Sequence, residues 1–587
     1  MPSRVSPRRW AVTRERISLA PRPSVQKVAG SHRSRAPWAA FLLFSGLLLL
    51  VAFLRSWEAV AGLRWPFDSD HLRNIADAVT FKDGDVLSDA HYSGVHAWYS
   101  PLTSGLLALV SLVTSVPIHR LVAQGGPALN LVTPVALCWV TARWFGRRVA
   151  ILTLFAYLFA MGSNYPAWAI ASYSPWMYVP YYAAGIYIVA LATVPAAVNR
   201  AANRDALLLG VAGGAVILVH PALALLLVGV VTVQFLFACW HATRQVLGRL
   251  ARSAGISLAT ALIVSAPFWL PILTRYHGRV LNDSAGRWIW SELESDHVWG
   301  FLGEFLTNWP TLVIAVGLPI WIARHRSRDQ LSADNEATRT SLGSQTSSRT
   351  RVTGTSILTA WTVVSSFGLI LEAYRGSALG EAVPIPAAPS HHYLLSLSIT
   401  LCIWFGISLN AIVQALLGRR DKRWGAATVA VVVVAAFLWT LPSWRDRTDF
   451  VDGRIRAKSI EAHYDSFSVV GWIRANTEPN DEFLGQPGLE AFIPGLAGRK
   501  SVFINYPEFS NPFVSFGERQ RDAGRMIEAL RACNLSRFER LARHYGRVRY
   551  VLTPASASLQ STCPGIVPTV YSDKAVNVQR VVSNGSS

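Results

Sequence analysis

The chain has 587 residues, of which 51% are hydrophobic and only 15% charged. That charged share lies well below the roughly 25% of ordinary globular chains. The apolar residues come in long blocks, which excludes disorder, a disulfide-dense scaffold or a coiled coil and indicates a membrane protein. The formal net charge is +20, nearly all from Arg, but the basic residues crowd short segments between apolar blocks. That is the pattern of cytoplasmic loops rather than of a nucleic-acid-binding face, so no nucleic-acid partner is expected.

In chain order, residues 1–35 are a basic tail, read as cytoplasmic, and the charge-free block that follows reads as a signal anchor rather than a cleavable signal. About 20 apolar residues are needed to cross the hydrocarbon core. Eleven segments are candidates: 36–54, 121–142, 149–163, 180–198, 206–220, 221–240, 255–273, 308–323, 355–372, 393–416 and 425–441. The pair meeting at His220-Pro221 reads as a tight helical hairpin. Residues 101–118 are also apolar, but letting them cross would send most Arg-rich loops outside, so they are expected to lie in the interface. This gives a multi-pass protein with its N-terminus cytoplasmic and its C-terminus outside. The Arg-rich, Lys-poor composition suggests the plasma membrane of a high-GC bacterium.

The fold expected is a polytopic α-helical membrane domain over 36–441, with an outside loop at 55–120, a Ser/Thr/Arg-rich cytoplasmic linker at 324–354, and a small extracytoplasmic α/β domain over 442–587. Within the last, 468–474 reads as a helix, 482–485, 499–504 and 548–552 as strands, and 521–545 as one amphipathic helix. Cys533 and Cys563 are expected to form a disulfide in an oxidising outside compartment, whereas Cys138, Cys239 and Cys402 lie in apolar blocks and read as buried thiols.

Chemistry concentrates in the first outside loop, where six Asp fall within 22 residues. Asp68 and Asp70 form a carboxylate pair just past the first span. Such a pair can accept a proton from a hydroxyl or hold a divalent metal such as Mg or Mn; the plainer reading is a solvated loop with helix caps. Further on come Gly84-Asp85, Asp89-Ala-His-Tyr92 and Trp98-Tyr99-Ser-Pro101. The loop at 274–306 supplies Arg279 among several Trp, and the loop at 373–392 supplies Arg375, His391 and His392, followed by Tyr393. Aromatics with polar neighbours suit sugar recognition, and equally a belt at headgroup depth.

Together these motifs resemble the GT-C superfamily of membrane glycosyltransferases, in which an acidic residue or pair follows the first span, then a short helix, a D-x-x-Y element and an aromatic-Pro step into an apolar helix. The stretch from Asp89 to Pro101 is similar to arabinofuranosyltransferases, and mannosyltransferases look alike there. The resemblance implies transfer of a sugar, with inversion, from a polyprenyl-phosphate donor to a hydroxyl of a cell-envelope glycan or glycolipid. It implies Asp70 as base with Asp68 in support. Asp89, Tyr92 and Tyr99 would help bind substrate, and His392, Tyr393, His391, Arg375 or Arg279 would face the lipid phosphate. His392 stands where the commoner residue is Arg. Two readings compete: a lipid-linked glycan polymerase or ligase, and a transporter or flippase of lipid-linked sugars, against which stands the near absence of midplane charges.

Overall fold

The computed structural model describes residues 36–66, 69–161, 173–240, 242–282, 303, 308–340, 351–375, 390–416, 422–458, 468–485, 492–504, 510–560 and 562–582. The helical part begins with α1 (Ala36–Val60), α2 (Ser69–Lys82), α3 (Pro101–Thr114), α4 (Ile118–Leu129), α5 (Val132–Phe145) and α6 (Arg147–Phe155), which runs into a π-helical turn at Ala156–Ala160. It continues with α7 (Val179–Asn199), α8 (Asn203–Val219), α9 (Pro221–Trp240), α10 (Arg244–Thr274), α11 (Trp309–Thr340), α12 (Gly354–Arg375), α13 (Ser390–Leu416) and α14 (Lys422–Lys458). Seven units among the described residues are long and apolar enough to cross a membrane: α1, α4 with α5, α7, α9, α10, α12 and α13. Of the other four expected segments, 206–220, 308–323 and 425–441 fall on α8, α11 and α14, and 149–163 falls on α6 and the π-helical turn, its last two residues lying outside the described residues. α14 runs through Pro442 to Lys458, past the end of its apolar stretch.

The contacts sort the helix ends onto two faces. On one face Arg147 at the start of α6 stacks over Trp38 of α1 at 3.6 Å, and Asn199 at the end of α7 hydrogen-bonds the backbone of Val352. On the other, Arg55 pairs with Asp452 of α14 at 2.6 Å. α1 and α14 therefore run in the same direction. α3 has 14 residues, about 21 Å at 1.5 Å per residue, too short to cross. At His220 (φ −157°) the chain is extended before Pro221, so α8 and α9 meet at a sharp corner.

Helices approach closely where glycine removes a side chain. A Cβ on Gly210 of α8 would lie 2.5 Å from Thr260 Cβ of α10, and one on Gly214 would lie 2.6 Å from Val264 Cβ. This is small-residue packing at i and i+4, which substitutes for the hydrophobic driving force that lipid cannot supply between helices.

Past α14 the chain forms α15 (Ser468–Asn476), β1 (Asp481–Gly485), the short α16 (Ile493–Leu496), β2 (Lys500–Ser501), α17 (Phe516–Arg531), α18 (Leu535–Ala542), β3 (Arg547–Pro554), β4 (Thr569–Ser572) and β5 (Val576–Arg580). The sheet order is β2-β1-β3-β5-β4, with β1 parallel to β2 and β3 and the last two strands antiparallel. The single helix expected over 521–545 is two. Cys533 adopts a left-handed conformation (φ 54°) between them and is disulfide-bonded to Cys563, with Cα atoms 5.7 Å apart. Asn534 then caps α18 by accepting the Arg537 N–H.

α2 joins the two parts. Leu72, Ile75, Ala76 and Val79 recur at helical spacing and are buried. Leu72, Ile75 and Val79 share one apolar cluster with Leu107 and Ile118 of α3 and α4 and with Phe483, Phe492, Leu496 and Leu552 of the C-terminal part. Burial at this density contributes roughly 1.5–3 kcal/mol per large side chain.

Replacing Gly210 or Gly214 with Val is expected to force α8 and α10 apart and cost about 1–3 kcal/mol, the usual range for overpacking. Thermal unfolding in detergent checks this: a lowered midpoint is expected, with Gly248→Ala, where a Cβ meets open space, as the silent control.

Candidate active site

The opposite face of α2 carries Asp70, Arg73 and Asp77, at i, i+3 and i+7. Asp70 sits in the first turn, where a carboxylate complements the helix dipole. Its Oδ1 is 2.7 Å from Arg73 Nη2; the Arg73 side chain is 8% exposed and that of Asp70 18%, so solvent reaches the carboxylate and hardly the cation. The Arg73 guanidinium lies 3.9 Å from the centroid of the Tyr99 ring. Burial lowers the affinity of Arg73 for its proton, but Tyr99, Asp70 and Asp77 outweigh it and the net shift is upward. Tyr99 itself is pushed up by burial, against the pull of Arg73.

Asp77 was given no role from sequence, yet its position is unusual. Its Oδ2 is shut off from solvent and has no hydrogen-bond partner among the described residues. Burial pushes its carboxyl up to about 7; Arg73 pulls it down, Asp89 adds to the rise and Lys500 opposes it. The signal available in the sequence was the seven-residue spacing from Asp70, which puts both on one helical face.

Past α2 the chain folds back on itself. Gly84 (φ 94°) ends the helix, and residues 87–97 close as a small loop through Asp89 N–H to Val95 O and Ala97 N–H to Leu87 O, both 2.8 Å. Asp89 is buried; its Oδ1 accepts the backbone N–H groups of His91 and Tyr92, and its Oδ2 accepts from Asn511. Tyr92 shares a 2.7 Å hydrogen bond with Ser510 and lies under Arg519. These two residues thus spend their polar atoms on their own loop and on the C-terminal part. Lys500 donates to the Asp89 carbonyl, and burial lowers its pKa against the pull of Asp89, Asp85 and Asp77. Tyr276, just past α10, donates to His96 O and accepts from Asn511. His91 is buried with neither ring nitrogen hydrogen-bonded among the described residues, and burial lowers its pKa to about 4, with Asp89 opposing and Lys500 and Arg73 assisting.

Beside this cluster runs an apolar groove of about 470 Å³ between the loop, α3, α8 and α10, lined by Phe81, Leu87, Tyr99, Leu106, Leu218 and Pro271. Tyr99 is common to the groove and to the charged cluster.

The other residues singled out from sequence are spread. His392 is buried at the start of α13 with its ring 4.5 Å from that of His220, on the same face of the helical part as α2. Tyr393 is buried against α12, where a Cβ on Gly368 would strike its ring. Arg279 is exposed just past α10. Asp68 and the side chains of His391 and Arg375 lie outside the described residues. No three His, Cys, Asp or Glu side chains converge as a metal-binding group among the described residues.

No protein family and no curated protein matches the chain. Among solved structures, ArnT from Cupriavidus metallidurans in the apo state aligns with a TM-score of 0.51 over 93% of this chain and 98% of that one, at 13% identity. The chain has the GT-C fold. Two further GT-C proteins align less well: arabinofuranosyltransferase AftD from Mycobacteria (TM-score 0.46, 11% identity, 92% of this chain and 40% of that one) and the apo oligosaccharyltransferase of Archaeoglobus fulgidus (0.44, 15%, 87% and 70%). On this GT-C fold the first loop, α2 and the C-terminal sheet lie together at one face of a multi-pass helical domain.

Asp77 and His91 set opposite pH dependences. A carboxyl raised to about 7 stabilises the fold most at low pH and loses that contribution as pH rises from about 4 to 7. A histidine lowered to about 4 destabilises the fold as pH falls from about 6.5 to 4, because only the unfolded chain takes the proton. Relative to wild type, Asp77→Asn should therefore gain stability most at pH 7 and His91→Gln most at pH 4. Unfolding midpoints measured across that range check both signs.

Proposed function

We propose that the chain is a membrane glycosyltransferase that moves a sugar from a polyprenyl-phosphate donor to a hydroxyl of a cell-envelope glycan or glycolipid, with inversion. The observation that carries this reading is Tyr99, one residue shared by an apolar groove and by the Asp70–Arg73 ion pair. A groove bordered by three helices of the membrane domain suits a long isoprenoid chain, and the adjoining charges suit the head that carries the reacting bond. The GT-C fold supports the same class.

Asp70 is the base in this reading. It takes the proton of the acceptor hydroxyl while that oxygen attacks the anomeric carbon, the bond from that carbon to the phosphate oxygen breaks, and polyprenyl phosphate leaves with the electron pair. Arg73 fixes the orientation of the Asp70 carboxylate. His392, Arg375 and Arg279 are proposed to meet the developing phosphate charge, with Asp68 supporting Asp70. A divalent metal such as Mg or Mn would be held by Asp70 and Asp68, and the test below includes it. The reacting face is the extracytoplasmic one, the orientation that the Arg-rich loops favour.

The test is donor consumption by protein in nanodiscs, with membrane extract as acceptor, across polyprenyl-phosphate arabinofuranose, aminoarabinose and mannose, with and without Mg²⁺ or Mn²⁺. One donor should be consumed, and Asp70→Asn should slow it by roughly 10²–10⁴-fold, the usual worth of a general base. Full activity in Asp70→Asn would remove the base assignment. Consumption of no donor by wild type would remove the transferase reading and favour movement of lipid-linked sugars.

A further inference from the structure

The C-terminal part carries a second cavity that the transfer chemistry leaves unused. A cleft of about 800 Å³ lies between α18 and the end of the sheet formed by the start of β3, the start of β4 and the end of β5. Its lining includes the exposed apolar side chains of Val570 and Val582 and four arginines, Arg543, Arg547, Arg549 and Arg580. A second basin of about 470 Å³ meets it at Arg543 and adds Arg525, Arg537, Arg540 and His544. Glu539 is the one carboxylate in the combined lining.

The arginines differ in how they are neutralised. Arg547 and Arg549 pair with Glu478 and Asp481, Arg525 with Asp522, and Arg537 with Glu528 at 3.8 Å. Arg540, Arg543 and Arg580 are exposed and form no ion pair among the described residues. Three exposed guanidiniums without an ion pair among the described residues, along two adjoining basins, make the surface locally cationic and suited to an anion. Seven of the lining side chains are Arg, whose planar fork matches carboxylate and phosphate oxygens.

We propose that this cleft binds an anionic glycan chain. Two basins joined at one arginine fit several successive units rather than a single ion, and the exposed Val570 and Val582 of the larger basin suit the apolar faces of sugar rings, with acidic substituents reaching the arginines. A bilayer presents its charges on a plane, and a concave cleft meets a plane poorly. The Cys533–Cys563 disulfide at the head of α18 suits an oxidising compartment, where envelope glycans are found. The ligand class follows from the cleft alone; its being an envelope glycan rests on the outward orientation in the proposed function.

The experiment uses the full chain in zwitterionic nanodiscs, titrated with fluorescent polygalacturonate and with neutral dextran of the same length. Wild type is expected to bind polygalacturonate, with affinity falling as salt rises, and not dextran. The triple variant Arg540→Gln/Arg543→Gln/Arg580→Gln is expected to bind at least about tenfold more weakly, as losing charge-assisted hydrogen bonds requires. Its unfolding midpoint should be no lower than that of wild type. Equal binding of dextran, or unchanged binding by the triple variant, overturns the proposal. Displacement of the polymer by phosphatidylglycerol vesicles also overturns it and assigns the cleft to lipid headgroups. Arg580→Gln alone serves if the triple variant fails to fold. No sugar donor is present, so failure of sugar transfer and failure of this proposal are read separately.

Discussion

A buried guanidinium organises the active face. Arg73 has almost no solvent, and a cation out of water is tolerated only when anions surround it. Asp70, on its own helix, supplies that charge, and the Tyr99 ring covers it. The two carboxylates of this helical face end in different states. Asp70 stays within reach of solvent and paired, whereas Asp77 is held deeper, its proton retained towards neutral pH. Two acids on one helical face with environments that differ this much are what acid–base chemistry needs.

The second face of α2 makes the membrane part and the C-terminal sheet interdependent. Its apolar residues complete one cluster with both. The loop that follows is held almost entirely from the C-terminal side, by Asn511 on Asp89, Ser510 on Tyr92 and Lys500 on the Asp89 carbonyl. Tyr99, at the end of that loop, is thus placed by a sheet more than 380 residues away in sequence. The C-terminal part is a structural wall of the candidate site as well as the carrier of an arginine cleft of its own.

Much of the helical part could be read from sequence because lipid imposes a severe rule: backbone polar groups must be satisfied within a helix, so apolar blocks of sufficient length become helices. Within the described residues the candidate segments fall on helices, with 121–142 divided between α4 and α5, and α3 is too short to cross. The helix expected over 521–545 failed to be continuous for a local reason, a left-handed Cys533 drawn into a disulfide followed by the Asn534 cap, which overrides an amphipathic pattern that looks unbroken. β4 and β5 were not expected because both are short; β4 pairs with β5 in a hairpin, and β5 joins the sheet through β3.

The sequence by itself determined the helical membrane architecture, the concentration of carboxylates after the first span and the presence of an α/β appendage, since each depends on composition or on spacing within one segment. Only the tertiary structure decided what those carboxylates do. Asp89 and Tyr92 are drawn into an interface, one oxygen of Asp77 is shut off from water, and Asp70 is left beside an apolar groove. Those differences come from burial and from partners contributed by residues hundreds of positions away, which no local pattern records.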